Sequence, residues 1–123
     1  MGLDVRLRDV VEADLEVFYE QEHDEEAVRR SKFVPRERSR FMTHWKTQVL
    51  GHPDVFVQAI LADDVLAGSV VAWTEDDGRR FLGYWLGRAF WGRGIGTAAL
   101  RFFLAAEVAR PLYADPVVGM SAR

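Results

Sequence analysis

With 123 residues, a net charge of −3 and 28% charged against 49% hydrophobic residues, the chain has the composition of a folded globular domain and not of a disordered segment. The acidic balance argues against nucleic-acid binding through overall basicity, and the lack of cysteine excludes disulfides, thiolate metal sites and a cysteine nucleophile. No run approaches the ~18 apolar residues that would span a bilayer, so the expectation is a single soluble, cytoplasmic domain over residues 1–123 with no membrane or nucleic-acid partner.

In chain order, "VRLRDV" alternates apolar and charged residues and predicts a strand with one wet face. A helix follows from about Asp14, with Leu15, Phe18 and Tyr19 at helical spacing. The segment "EQEHDEEAVRRSKFVPRER" is charge-rich and aperiodic. Its acidic run (Glu20, Glu22, Asp24, Glu25, Glu26) reads as a solvated helix end, or as a lure for a cationic acceptor. A second helix is expected over "RERSRFMTHWKTQVL", with Phe41, Met42, Trp45 and Val49 on one side, stopped by Gly51 and Pro53.

Three strands come next. "VFVQAIL" is apolar throughout, as a strand covered on both faces should be. Asp63-Asp64 turns the chain into "LAGSVVAWTE", and the Asp76–Gly78 turn leads into "RRFLGYWLG", giving an antiparallel meander. A glycine-rich turn opens a helix from about Ile95 to Ala109, and "RPLYADPVV" adds a short strand limited by Pro116. His23, His44 and His52 lack the paired spacing of a metal site, so no metal is expected.

The stretch "YWLGRAFWGRGIGTAAL" places Gly92, Gly94 and Gly96 between an aromatic strand and that helix. Glycine suits positions of positive φ or close approach, and the first amides of a helix attract anions. A dinucleotide fingerprint does not fit, because the sixth position from Gly92 is Thr97 and the strands are antiparallel. A phosphate-binding P-loop fails too, because no Lys with Ser or Thr follows the last glycine.

These residues resemble the acyl-coenzyme A motif of the GNAT superfamily of N-acetyltransferases. Gly94-Ile95-Gly96 fill the second half of its [Q/R]-x-x-G-x-[G/A] signature, and Trp91 at its head resembles the branch of ribosomal-protein N-terminal (Rim-type) acetyltransferases. The resemblance implies an α+β fold, a mainly antiparallel mixed sheet flanked by helices. It also implies that the usual last helix and two strands are lacking. By the resemblance, acetyl-CoA would be the acyl donor, with its pyrophosphate on Gly92, Arg93, Gly94, Ile95, Gly96 and Thr97, Thr97 Oγ standing near the N-cap. Trp91 would belong to the same cofactor-binding set. The preceding strand would bulge at Trp85, Leu86 and Gly87 to pair with the pantetheine arm, the Leu86 amide polarising the thioester carbonyl.

The carboxylate that relatives carry on the motif strand is Phe81 here, which leaves Glu75, or bulk solvent, as base and Tyr84 as a second polar candidate. Trp73 and Trp85 read as core; Phe41 and Trp45 read as core or as pocket wall. The implied function is transfer of an acetyl group to a primary amine, on a protein N-terminus or a small molecule. The alternatives are an inactive acyl-CoA-binding module and a structural dimer. An open sheet edge and the helix face of Phe102, Phe103 and Ala106 predict a homodimer through the segment from Pro111 to Arg123.

Overall fold

The computed structural model describes residues 4–31, 35–108 and 110–114. Strand β1 (Val5–Asp9) leads into three helices: α1 (Asp14–Glu22), α2 (Glu25–Ser31) and α3 (Arg38–His44). A π-helical turn (Trp45–Val49) prolongs α3. The chain then runs through β2 (Phe56–Ala62), β3 (Val65–Thr74), β4 (Arg80–Leu86), a 3-10 turn (Arg88–Phe90), α4 (Ile95–Ala106) and β5 (Leu112–Ala114). The sheet follows sequence order, β1-β2-β3-β4-β5. All pairings are antiparallel except β4 with β5, which α4 connects as a parallel crossover. This is the mixed, mainly antiparallel α+β sheet that the sequence predicts.

The two-residue period of the strands divides the core into two. Val70 and Ala72 of β3 and Leu86 of β4 face Ile95, Ala99 and Phe103 of α4, and Phe103 stacks on Phe56 at 4.9 Å. On the opposite face, Ala59 of β2 packs with Leu15 and Phe18 of α1 and Phe41 of α3. Helix α4 therefore does not present one uncovered apolar face. Phe103 is fully buried, whereas Phe102 is 55% exposed. The part of the expected dimer segment from residue 115 to 123 lies outside the described residues. Among the described residues, no helix is long and apolar enough to cross a membrane.

Two boundaries differ from expectation for identifiable reasons. Helix α4 stops at Ala106 because Glu107 turns extended and its buried carboxylate takes Arg80 of β4 at 2.6 and 3.1 Å. The charge-rich segment after α1 contains a helix. Asp24 accepts the Ala27 amide at 3.0 Å, Glu25 and Glu26 occupy the first turn of α2, and Arg29 and Arg30 the last. That charge order complements the helix dipole.

Asp14 fixes the start of α1. Its carboxylate takes Arg8 of β1 through two bonds, 2.7 and 2.9 Å, and reaches back to the Val11 amide at 2.9 Å, as the acidic member of a capping box does. The Arg8 guanidinium holds Asp14 below the usual carboxylate range. We expect Asp14→Ala to lower unfolding free energy by about 1–3 kcal/mol in denaturant titrations, since it also orphans the Val11 amide. The folded-state value is depressed, so this stabilisation is complete above the ordinary pKa of 3.8 and disappears as pH falls through the folded one. Wild type and variant should therefore converge in strong acid.

Candidate functional site

The site begins with a defect in β3. The β2–β3 register slips between Ile60 and Leu61, leaving Ala67 as a bulged residue between Leu66 and Gly68. Its carbonyl accepts the Gly87 amide at 2.9 Å, where β4 leaves the sheet, and the Gln21 Nε2 amide from α1 at 3.1 Å. The resemblance implied a bulge in β4 itself, at Trp85 to Gly87. That expectation is corrected, since the β3–β4 register runs unbroken from Gly68↔Leu86 to Thr74↔Arg80. The extra residue sits one strand away and acts on the same place.

Beyond Gly87 the chain makes its 3-10 turn and enters the glycine stretch. Gly92 and Gly94 have φ of +73° and +75°, and an added Cβ would meet nothing within 4 Å at either, so backbone conformation alone demands glycine there. Gly96 is glycine for another reason. A Cβ would stand 2.5 Å from the Tyr84 ring and 2.8 Å from its hydroxyl. Gly94 is the N-cap of α4, and the first helical bond runs from Ala98 N–H to the Gly94 carbonyl at 3.1 Å. The amides of Ile95, Gly96 and Thr97 thus precede the helical ladder, at the positive end of a twelve-residue dipole. Thr97 is the third helical residue, in the first turn after the Gly94 cap; it is exposed, as are Gly92, Arg93 and Gly94.

Trp91 ties this turn to the strand, its indole N–H donating to the Leu86 carbonyl at 2.9 Å. The Arg30 guanidinium of α2 lies 4.8 Å over the Trp91 ring, and Asp24, which caps α2, pairs with Arg88 at 3.3 Å. The helix missed in the sequence therefore buttresses the glycine turn. Its Asp-Glu-Glu start and Arg-Arg end were the signal that reveals it.

On the α1–α3 face of the sheet opens a cavity of about 490 Å³, the size of a small-molecule site. Phe18 of α1, Phe41 of α3, Trp45 of the π turn, Trp73 of β3 and Trp85 of β4 supply aromatic walls. The π turn, closed by the Leu50 amide on the Trp45 carbonyl at 2.8 Å, also brings Gln48 and Val49 to the wall. Phe41 and Trp45 thus serve both as core and as wall, whereas Trp73 and Trp85, expected as core, are half-buried members of neither core cluster and line the cavity instead.

Glu22, at the end of α1, also lines it, and burial pushes its carboxyl up despite Arg36 at 3.5 Å. His44 is held below its usual range, first by burial and then by Arg36. The acidic run is therefore not simply solvated: Glu22 faces the cavity, Asp24 caps a helix and Glu26 binds Arg29 and Arg30. Among the described residues, no group of His, Asp and Glu has the spacing to hold a metal.

The structure brings Trp85, Leu86, Gly87, Trp91 and the Gly92–Thr97 turn together at one end of β4. Tyr84 joins them from beneath, its ring against Gly96. Glu75 does not join them. It is exposed past the end of β3, bonded to Trp73 Nε1 at 3.3 Å. Leu86 pairs with Gly68, seven residues earlier along β3, a distance of roughly 23 Å at strand rise. Glu75 does not line the cavity either.

A family model described as an acetyltransferase (GNAT) domain matches residues 4–114. The chain belongs to the GNAT acetyltransferase family. Among solved structures, an acetyltransferase from Thermus thermophilus superposes on this GNAT chain with a TM-score of 0.74 at 19% identity, over 93% of this chain and 75% of that one. The aminoglycoside acetyltransferase AAC(6')-Ib in complex with coenzyme A gives 0.69 at 19% identity, over 84% and 66%. A Salmonella typhimurium acetyltransferase that modifies the N-terminal serine of ribosomal protein L7/L12 gives 0.61 at 18% identity, over 83% and 62%. At such identities the likeness is one of fold. The chain spans 66% of AAC(6')-Ib and 60% of two further acetyltransferase structures. Among curated proteins none matches it significantly.

The two kinds of glycine predict different responses in thermal unfolding. Gly94→Ala should cost about 1–2 kcal/mol through backbone strain alone, whatever stands at position 84. Gly96→Ala should cost about 1–3 kcal/mol through overpacking, and Tyr84→Leu in the same chain should recover part of that loss.

Proposed function

We propose that this GNAT chain is one domain that transfers the acetyl group of acetyl-CoA to a primary amine. The observation that carries the reading is the glycine turn at the N-terminus of α4, in a chain whose family match spans residues 4–114. The residues fit an anionic pyrophosphate. Gly92 and Gly94 leave open space where side chains would stand, and the amides of Ile95, Gly96 and Thr97 precede the helical ladder. Arg93, exposed between the two glycines, adds a positive charge to the rim. That AAC(6')-Ib is known with coenzyme A, and with paromomycin and acetyl-CoA, supports the same assignment.

The residues at the end of β4 set the geometry of the reaction. The Leu86 backbone amide is the candidate donor to the thioester carbonyl oxygen, on a fully buried residue whose own carbonyl is occupied by Trp91. Trp85 and Gly87 flank it as the rail for the pantetheine arm, and Tyr84 supports the turn from below. The neutral amine attacks the thioester carbon. A carbon–nitrogen bond forms, the carbon–sulfur bond breaks, the coenzyme leaves as thiolate and the nitrogen loses one proton. With Phe81 where relatives carry a carboxylate and Glu75 at the wrong end of the hairpin, most of the acceleration falls to positioning. An α-amine with a pKa near ~8 is partly neutral at pH 7.

Acetyl-CoA at a hundredfold excess over Kd should raise unfolding free energy by ~2.7 kcal/mol. Gly94→Val, verified as folded by circular dichroism, should lose that increment. An undiminished increment in the folded variant would refute the cradle. Stabilisation without acetyl transfer to any amine would favour the second reading, an acyl-CoA-binding module that does not turn over.

A further inference from the structure

The cavity beside β4 carries an unbalanced set of polar atoms. Glu22 has a side chain only 12% exposed; Arg36 reaches this carboxylate with its backbone amide and, at 3.5 Å from Oε1, with its guanidinium, too long for a strong charge-assisted bond. The other oxygen, Oε2, is buried without a hydrogen-bond partner among the described residues, and so is Gln21 Oε1 on the preceding residue of α1. Both residues line the cavity. A buried carboxylate oxygen and a buried amide oxygen left unsatisfied are costly, and both are acceptors. What satisfies them must donate.

Two further observations define the donor. Gln21 is anchored through Nε2 to the Ala67 carbonyl, which also holds the Gly87 amide, so its free oxygen lies at the end of the cavity nearest Leu86. The rest of the cavity is walled by Phe18, Trp45, Trp73 and Trp85. Among the described residues, Arg36 is its one arginine and Glu22 its one deeply buried carboxylate, Asp54 being exposed. A polycation would meet Arg36 and find too few anionic partners; a fully apolar molecule would leave both oxygens unpaired.

We infer that the acceptor is a small monoamine carried on an aromatic body, an arylalkylamine, with the Glu22 carboxylate as the counter-ion of its ammonium group and the tryptophan-rich wall holding its ring. This specificity rests on the acetyl-transfer reading, with Glu22 as the residue that determines it.

The test is direct binding, independent of acetyl-CoA. Three of the four tryptophans, Trp45, Trp73 and Trp85, line the cavity, so intrinsic fluorescence reports its occupancy. 2-Phenylethylamine should produce a saturable change in the wild-type chain. 2-Phenylethanol, of equal shape without the charge, should bind about tenfold or more weakly, as should the polycation paromomycin. Glu22→Gln should lose about tenfold or more in affinity for the amine while leaving the affinity for the alcohol unchanged. Equal affinity for amine and alcohol in the wild-type chain would overturn the proposal without any variant. So would tighter binding of paromomycin, no binding at all, or a folded Glu22→Gln within twofold of wild type. Amine binding without stabilisation by acetyl-CoA would sink acetyl transfer and leave the assignment of Glu22 standing; the reverse result would do the opposite.

Discussion

The Ala67 carbonyl is the point on which the site hangs. Ala67 is unpaired in the β2–β3 register, its carbonyl continues the β3–β4 register opposite Gly87, and two donors from distant parts of the chain converge on it. Gly87 marks where β4 ends, and through the 3-10 turn and Trp91 it sets where the glycine turn begins. Gln21 marks where α1 docks, and with it the cavity floor at Glu22. One hydrogen-bond acceptor thereby fixes the distance between the proposed donor groove and the proposed acceptor cavity. Coupling of this kind costs little, since a buried carbonyl has two lone pairs and each donor would otherwise need a partner of its own.

Around that point the electrostatics are arranged by helix ends. Helix α2, only seven residues long, buries Ala27 outside both main core clusters, yet its cap pairs with Arg88 and its last turn lies over Trp91. Its position relative to the glycine turn is thus held by one ion pair and one cation–π contact, both of surface strength. Helix α4 is held differently, by Phe103, Ala99 and Ile95 within the core and by the buried Arg80–Glu107 pair at its far end. The turn between strand and helix is therefore built on a helix packed into the core and braced by one held through surface contacts.

What the sequence discloses depends on how far apart in the chain the causes lie. The strands, the Asp63-Asp64 turn with its two positive φ values, and the glycine turn were legible because each is set by neighbours within a few residues. Glycine spacing even located the end of β4. Helix α2 was missed because its charges obscure periodicity, although its cap and charge order are local and readable. The bulge was assigned to the wrong strand, since a register slip is decided by the partner strand and not by the residues that bulge. Of the cavity only Phe41 and Trp45 are anticipated as wall, for the same reason: Glu22, Trp45 and Trp73 belong to three elements that meet only after folding. Glu75 shows the converse. Nearness in sequence to the motif strand suggested a role, and the hairpin's length carries the residue to the far end of the strands.

The three glycines of the turn also differ in what they ask of chemistry beyond the natural alphabet. At positions 92 and 94 handedness is the obstacle, because φ near +75° is the native helical basin of a D-residue and open space surrounds the L-side. A semisynthetic chain with D-alanine at position 94, where ψ is 8°, would keep that residue in a basin it prefers, and the unfolded chain would lose freedom that glycine keeps. At position 96 the obstacle is volume: the Tyr84 ring already occupies the place of a methyl group. Mirror-image substitution thus separates a glycine chosen for its symmetry from one chosen for its size.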